Sequence, residues 1–170
     1  GFGADNITAG ATDQGNDLAL GDNGILRFSD VGSGRLVDHL LSVESTSFVD
    51  GGADYIETGD GADVVVGGAG ADTLLNTGDQ GNDVVFGDYG NLTFNGIMIP
   101  RRLESTSTAI GGADLILAGD GNNVVVGGLG DDQVTTGWGK DLVLGDNGVA
   151  IFSSAGIVSQ LASANVGDGG

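Results

Sequence analysis

Short apolar runs recur along the chain, and each follows a glycine-rich turn that ends in aspartate or asparagine. Asp114, Asn123, Asp132 and Asp141 stand nine residues apart. The three residues after each of them are apolar, except after Asp132, where only the middle one is. A nine-residue period with glycine at every turn cannot hold one face of a 3.6-residue helix against a core. The pattern therefore predicts an all-β fold, in which a short strand and a tight turn form each half-coil of a parallel β-solenoid.

A longer repeat of about 60 residues contains the nine-residue period. Residues 51–60 read GGADYIETGD and residues 111–120 read GGADLILAGD. This spacing predicts a partial unit over 1–50 and two full units, over 51–110 and 111–170. Free-standing repeat proteins need polar capping repeats, and neither end of the sequence resembles one. We therefore expect the chain to be a window on a longer array.

The strands after alternate turns differ in the face that they present away from the core. We expect the middle residue of each strand to point inward, namely Ile56, Val65, Leu74, Val85, Ile116, Val125, Val134 and Val143. Their neighbours point the opposite way, and after the second and fourth turns these are apolar, as at Val64, Val66, Leu142 and Leu144. Strands that are apolar on both faces belong to covered sheets. One sheet is thus predicted to be covered, by the inserts described next or by a neighbouring chain, while the other faces water.

Each unit also contains a segment that breaks the nonapeptide period and predicts a β-hairpin insert. In residues 91–110, the runs Leu92–Phe94 and Ile97–Ile99 flank Asn95-Gly96, a pair typical of a type I′ turn. Equivalent segments lie at 25–34 and 149–156. One phenylalanine recurs at the same place in each unit and is expected to be a packing anchor: Phe28, Phe94 and Phe152. The arginines of these inserts, Arg27, Arg35, Arg101 and Arg102, are expected to lie near the acidic turns.

Composition narrows the classes of function. The 170 residues include 24 acidic and 5 basic side chains, for a net charge of −19, which disfavours binding to nucleic-acid phosphates. The chain is nevertheless 39% hydrophobic, so it differs from the apolar-poor composition of most disordered, highly charged chains. It has no cysteine and one histidine, His39, which excludes disulfides, thiol nucleophiles and multi-histidine metal sites. No apolar run approaches the length of a membrane helix, and we expect neither membrane insertion nor enzymatic activity.

The turn aspartates are candidate ligands for a hard cation. Turns two strands apart share one edge of the fold, so four pairs are expected to stack: Asp54 with Asp72, Asp114 with Asp132, Asp63 with Asp83, and Asn123 with Asp141. Stacked carboxylates repel one another without a cation. Ca²⁺ takes six to eight oxygens from carboxylates and backbone carbonyls, and the turn glycines allow such carbonyls to point inward.

The predicted calcium ligands fall into three groups. The first is the turn series Asp5, Asp17, Asp54, Asp63, Asp72, Asp83, Asp114, Asn123, Asp132 and Asp141. The second is the aspartate of each Gly-Asp-x-Gly sequence, Asp22, Asp88 and Asp146, and the third is the turn glycines Gly68, Gly70, Gly128 and Gly130. Asn123 lacks a carboxylate and is expected to weaken its site. The inserts in 10–17 and 77–83 are expected to distort or delete theirs.

Two stretches, Gly67–Leu75 and Gly127–Thr135, fit the pattern G-G-x-G-x-D-x-U-x at every position, where U is a large apolar residue. With them, the sequence resembles the RTX (hemolysin-type) calcium-binding nonapeptide repeat proteins over about two thirds of its length. The resemblance implies a right-handed parallel β-roll that holds several Ca²⁺ ions. It also implies a secreted or cell-surface host, exported unfolded by type I secretion and folding where calcium is millimolar.

The function expected from these features is structural: a calcium-stiffened stalk, fibre or scaffold segment of a large secreted or cell-surface bacterial protein. Two alternatives stay open, namely an adhesin module that binds glycan through the inserts and an accessory calcium module of a secreted enzyme. The expected partners are neighbouring repeats or identical chains that meet the apolar outer face of a sheet.

Overall fold

The computed structural model describes residues 3–9, 14–29, 39–47, 51–76, 80–95, 99–106 and 109–164. Parts of several sequence predictions lie outside these ranges: Arg35, Gly96, Ile97, Met98 and the loop residues 10–13 and 77–79. Within the described ranges there is no helix that is long and apolar enough to cross a membrane.

The described residues form sixteen β-strands. In chain order these are β1 (Asn6–Ala9), β2 (Leu18–Leu20), β3 (Gly24–Phe28), β4 (Leu40–Ser45), β5 (Tyr55–Thr58), β6 (Val64–Val66), β7 (Thr73–Leu75), β8 (Val84–Phe86), β9 (Gly90–Phe94), β10 (Pro100–Ser105), β11 (Leu115–Leu117), β12 (Val124–Gly128), β13 (Gln133–Thr135), β14 (Leu142–Asp146), β15 (Gly148–Phe152) and β16 (Val158–Ser163). The all-β prediction is confirmed.

The short strands of the nonapeptides build two parallel five-stranded sheets. We call the sheet with the order β1-β5-β7-β11-β13 the outer sheet and the one with the order β2-β6-β8-β12-β14 the central sheet. Consecutive nonapeptide strands alternate between the two sheets, so that Ile56 pairs with Leu74 and Ile116 pairs with Val134. The nine-residue period therefore becomes a stack in which every strand lies beside one that is two turns away.

A first apolar core lies between the outer and central sheets. It contains the middle residues predicted to point inward, with Ile56, Val65, Leu74, Val85, Ile116 and Val125 all buried and Val134 partly buried against them. Val143 pairs in register with Val125 and therefore shares its inward face as predicted, but it is 42% exposed. Val143 belongs to β14, an edge strand of the central sheet, and among the described residues no further strand covers that edge.

The inserts form a third sheet, a six-stranded antiparallel meander with the order β3-β4-β9-β10-β15-β16. We call it the insert sheet. Each unit contributes one hairpin to it, and neighbouring hairpins pair through β4 with β9 and β10 with β15. The prediction of one β-hairpin per unit is confirmed.

The predicted bounds of the middle hairpin are wrong. Phe94 pairs with Pro100 rather than with Ile97, and the Asn95 N–H donates to the carbonyl of Ile99 at 2.9 Å, so the closing loop is longer than a two-residue type I′ turn. The register follows burial, because Leu92 pairs with Leu103 and both side chains are fully buried. A register slip of one residue would turn Leu103 away from the core.

A second core lies between the central sheet and the insert sheet. Val64 and Val66, on the face of the central sheet that points away from the first core, are each 3% exposed. Leu142 and Leu144 are partly buried against the same cluster, which also contains Phe94 and Phe152, with Phe28 packed on it. The predicted cover of one apolar sheet is confirmed, and it is supplied by the inserts of the same chain.

Two arginines contact acidic residues of the insert sheet itself. Arg27 pairs with Glu44 at 3.0 Å and Arg102 with Glu104 at 2.8 Å, both on the exposed face. The expectation that they lie near the acidic turns is therefore wrong for these two residues. The reason is that strand alternation places them on the outward face of the sheet, beside the glutamates of the same or the neighbouring strand.

Leu92→Ala is expected to lower the free energy of unfolding by about 2–5 kcal/mol, since a fully buried leucine loses its packing and leaves a cavity. Denaturant unfolding in calcium would measure the change. Ile25→Ala serves as the control on the same sheet, because Ile25 is 42% exposed and its truncation is expected to cost no more than about 0.5 kcal/mol. Equal losses for the two variants would contradict the assignment of the second core.

Candidate metal centre

A ladder of aspartates runs along the N-terminal edge of the outer sheet, one at the start of each strand. The N–H of Asp5 donates to Oδ1 of Asp54 at 2.7 Å, and that of Asp54 donates to Asp72 at 2.8 Å. The ladder continues from Asp72 to Asp114 at 2.8 Å and from Asp114 to Asp132 at 3.0 Å. Both predicted pairs on this edge are confirmed. The contact between Asp72 and Asp114, which joins two units, was not predicted.

The central sheet carries an equivalent ladder at its own N-terminal edge. Its members are Asp17, Asp63, Asp83, Asn123 and Asp141, and each N–H donates to Oδ1 of the next side chain at 2.7–3.0 Å. The predicted pairs Asp63–Asp83 and Asn123–Asp141 are confirmed. The extra residues between Asp72 and Asp83 therefore leave Asp83 in register with the ladder.

In the four aspartates of the outer ladder that follow Asp5, Oδ1 accepts a backbone N–H and Oδ2 does not. The Oδ2 atoms of Asp54, Asp72, Asp114 and Asp132 are buried and have no hydrogen-bond partner. Each of them lies beside a glycine, either of its own turn or of a neighbouring one. A Cβ on Gly127 would lie 2.5 Å from Oδ2 of Asp132 and still closer to the carbonyl oxygen of Gly145. Gly21, Gly67 and Gly87 have the same surroundings, with Asp54, Asp72 and Asp114 respectively.

These surroundings match the ligand preference of calcium. Hard cations bind carboxylate and backbone carbonyl oxygens, and Ca²⁺ does so at 2.3–2.6 Å. Among the described residues, no three carboxylate or imidazole side chains form a cluster that could hold a metal. Each candidate centre instead combines one orphaned, buried carboxylate oxygen with a main-chain oxygen, at a place where glycine leaves room. The residues present therefore fit a row of calcium sites.

A model of the RTX calcium-binding nonapeptide repeat matches the chain in four copies, over residues 47–75, 77–91 and 108–148, which together make up half of its length. The chain belongs to this RTX repeat family. RTX nonapeptide repeats bind calcium, so calcium is the cofactor of the chain. Comparisons with curated proteins and with solved structures found no match.

The glycines of the two full RTX motifs adopt the backbone conformation that their role as turn residues requires. Gly68 and Gly70 have φ of 116° and 114°, and Gly128 and Gly130 have φ of 119° and 134°. Side chains rarely tolerate this region, whereas glycine enters it without steric cost. Their assignment as carbonyl ligands stays a prediction.

The three aspartates of the Gly-Asp-x-Gly sequences are not members of the two ladders, but each lies close enough to the outer ladder to repel one of its carboxylates: Asp22 with Asp54, Asp88 with Asp114, and Asp146 with Asp132. Asp88 is 2% exposed, and its two oxygens accept the N–H groups of Gly112 and Leu129. Asp22 accepts the N–H of Ala69 at 2.6 Å, whereas Asp146 is exposed. Asp88 thus ties the first turn of an RTX unit to the third turn, and a ligand role for these aspartates stays a prediction.

Burial changes the protonation of the RTX carboxylates. Desolvation, reinforced by neighbouring carboxylates and opposed by backbone N–H donors, raises the pKa of Asp72 and Asp88 to about 8 and that of Asp114 to about 7. The pKa values of Asp22, Asp54 and Asp132 are raised for the same leading reason. The calcium-free fold therefore favours protons on these groups, and a bound cation would favour their ionised form.

His39 and Trp138 lie outside the ladders. His39 is half-buried, and its Nδ1 lies 3.3 Å from Oγ of Ser29. The side chain of Trp138 is 87% exposed, and the backbone N–H of Trp138 donates to Oδ1 of Asp120 at 2.7 Å.

Proposed function

We propose that this chain is a calcium-dependent structural segment, a stalk, fibre or scaffold, of a large secreted or cell-surface protein. Its two parallel sheets would wind as a right-handed β-roll that forms outside the cell. The observation that carries the proposal is the outer ladder. Four buried carboxylate oxygens without hydrogen-bond partners, in a chain of net charge −19, need a cation to be stable when ionised.

The energetics support folding that is coupled to calcium. Extracellular calcium modules bind with dissociation constants of roughly 10⁻⁴–10⁻³ M. At about ten times that constant, each site stabilises the fold by roughly 1.4 kcal/mol. On the order of seven such sites would approach 10 kcal/mol, which is the stability of a typical domain. Calcium at millimolar concentration outside the cell would therefore fold a chain that is unfolded inside it.

The architecture supports a structural role. All three sheets continue from one unit to the next, through β7 with β11, β8 with β12, and β10 with β15. A further unit could therefore extend the same stack without a new type of contact. Stability in such arrays is carried by contacts between nearest neighbours, which suits a long, stiff segment. The proposal assigns no catalytic role to the chain.

Circular dichroism during a calcium titration tests this function. The β signal is expected to appear cooperatively, with a midpoint in the range of roughly 10⁻⁴–10⁻³ M that is typical of extracellular modules. Magnesium at the same concentrations is the control and is expected to be much less effective, because it demands octahedral geometry and loses its water reluctantly. An equal β signal in EDTA would contradict calcium-dependent folding.

One observation favours a second function, that of an adhesin module. Trp138, at 87% exposed, presents an aromatic surface of the kind that can contact a sugar ring. A glycan array would test this alternative, with Trp138→Ala as the matched variant. Binding that is lost in Trp138→Ala but retained in Ile25→Ala would support adhesion.

A further inference from the structure

Asn123 interrupts the central ladder, whose other four members are aspartates. Its side chain is fully buried. Its Oδ1 accepts the N–H of Asp83 at 3.0 Å, as the aspartates of the ladder do for their own neighbours, and its N–H donates to Asp141 at 3.0 Å. Asn123 therefore makes the same ladder hydrogen bonds as the aspartates: its Oδ1 accepts one backbone N–H, and its own backbone N–H donates to the next side chain.

The other half of the amide faces the turn that precedes it. Nδ2 of Asn123 lies 2.9 Å from the carbonyl oxygen of Ala118, 3.2 Å from that of Gly119 and 3.4 Å from that of Asp120. Three backbone oxygens thus surround one donor. Oxygens arranged in this way are also what a calcium ion would bind.

The orientation of this amide is determined on both sides. A flipped amide would point its NH₂ group at the N–H of Asp83 and its oxygen at three carbonyl oxygens. The NH₂ donor would then face the N–H donor of Asp83, and the amide oxygen would face three other acceptors. Asn123 therefore cannot offer its oxygen to an ion in this turn without losing its contact with Asp83.

We propose that the amide of Asn123 takes the place of a calcium ion in the turn formed by residues 118–123, so that this turn closes without metal. The inference rests on the proposed function, because it concerns which turns of the calcium-binding array need an ion. The partially positive hydrogens of Nδ2 interact with the three carbonyl oxygens that would otherwise bind Ca²⁺. Asn123→Asp converts the turn into a further calcium site.

The preceding unit supplies a matched turn. Residues 58–63 read TGDGAD where residues 118–123 read AGDGNN, and both turns have glycine at positive φ in the fourth position, 149° at Gly61 and 110° at Gly121. Asp63 accepts the N–H of Asp17 through Oδ1 at 2.7 Å, in the same way as Asn123 serves Asp83. Asp63→Asn is therefore the reciprocal substitution.

Isothermal titration calorimetry with calcium chloride tests the inference on the wild type, N123D and D63N. N123D is expected to bind one more ion per chain than the wild type, and D63N one fewer. In EDTA, circular dichroism is expected to show less residual β structure for N123D and more for D63N, because an ionised carboxylate repels the turn carbonyls and an amide does not.

The outcomes separate this inference from the function that it rests on. If the wild type binds calcium and D63N binds one ion fewer while N123D gains none, the inference is overturned and the proposed function stands. If N123D does not fold even at about 5 mM calcium, above the range of roughly 10⁻⁴–10⁻³ M typical of extracellular sites, the inference is also overturned. If the wild type binds no calcium, both the inference on Asn123 and the proposed function are overturned.

Discussion

Asp114→Asn is expected to change the stability of the protein in opposite directions with and without calcium. In calcium, the variant is expected to be less stable, because the amide replaces the buried Oδ2 that has no hydrogen-bond partner and is a candidate ligand. In EDTA, it is expected to be more stable than the wild type at pH 8. The reason is that burial raises the pKa of Asp114 to about 7, so an uncharged group is favoured there without a cation.

A second variant at the same position separates the metal role from the backbone role. Oδ1 of Asp114 accepts the buried N–H of Asp72 at 2.8 Å. Asp114→Ala removes that acceptor as well. In EDTA it is expected to be about 1–3 kcal/mol less stable than Asp114→Asn, because both variants remove the charge but only the alanine leaves the N–H of Asp72 unpaired. Calcium-dependent thermal unfolding would measure both effects.

The control is Asp131→Asn, which removes the same charge from an exposed side chain next to the ladder. It is expected to change stability by no more than about 0.5 kcal/mol in either condition. If Asp114→Asn is destabilising both in calcium and in EDTA, the carboxylate is a structural group and not a ligand. If the exposed control behaves in the same way as Asp114→Asn, the effect is one of net charge.

Acidification is expected to restore the β structure that EDTA removes. The folded-state pKa values of Asp72 and Asp88 are raised to about 8, and that of Asp114 to about 7, against an ordinary value of 3.8. A carboxyl group with a raised folded-state pKa contributes stability that is fully present below pH 3.8 and is lost as the pH rises through 7–8. The calcium-free protein should therefore gain stability steadily from pH 8 down to about pH 4.

The same linkage predicts the opposite behaviour in calcium. Protons compete with Ca²⁺ for these carboxylates, so the calcium midpoint of folding should rise as the pH falls from 8 to 5. Circular dichroism in EDTA, and in a series of calcium concentrations at each pH, would measure both trends. A calcium-free protein that loses β structure on acidification would contradict the assignment of buried, ion-dependent carboxylates.

The periodic part of the structure was determined by the sequence alone. The nine-residue period places Asp114 and Asp132 two steps, or 18 residues, apart and led to the ladder contact that the structure shows between them. The apolar pair Val64 and Val66 identified the sheet that is covered. Both predictions succeed for one reason. Every nonapeptide strand pairs with another nonapeptide strand of similar sequence, so the period of the sequence is also the register of the two parallel sheets.

The tertiary structure decided the features that do not repeat. Leu103, and not Ile97–Ile99, sets the register of the middle hairpin because it is buried opposite Leu92. Arg102 contacts Glu104 because both lie on the outward face of one strand. The orientation of the Asn123 amide follows from Asp83 on one side and the carbonyls of its own turn on the other. In each case the contact depends on which side chains pack together in the folded chain. The spacing of residues along the sequence does not specify that packing.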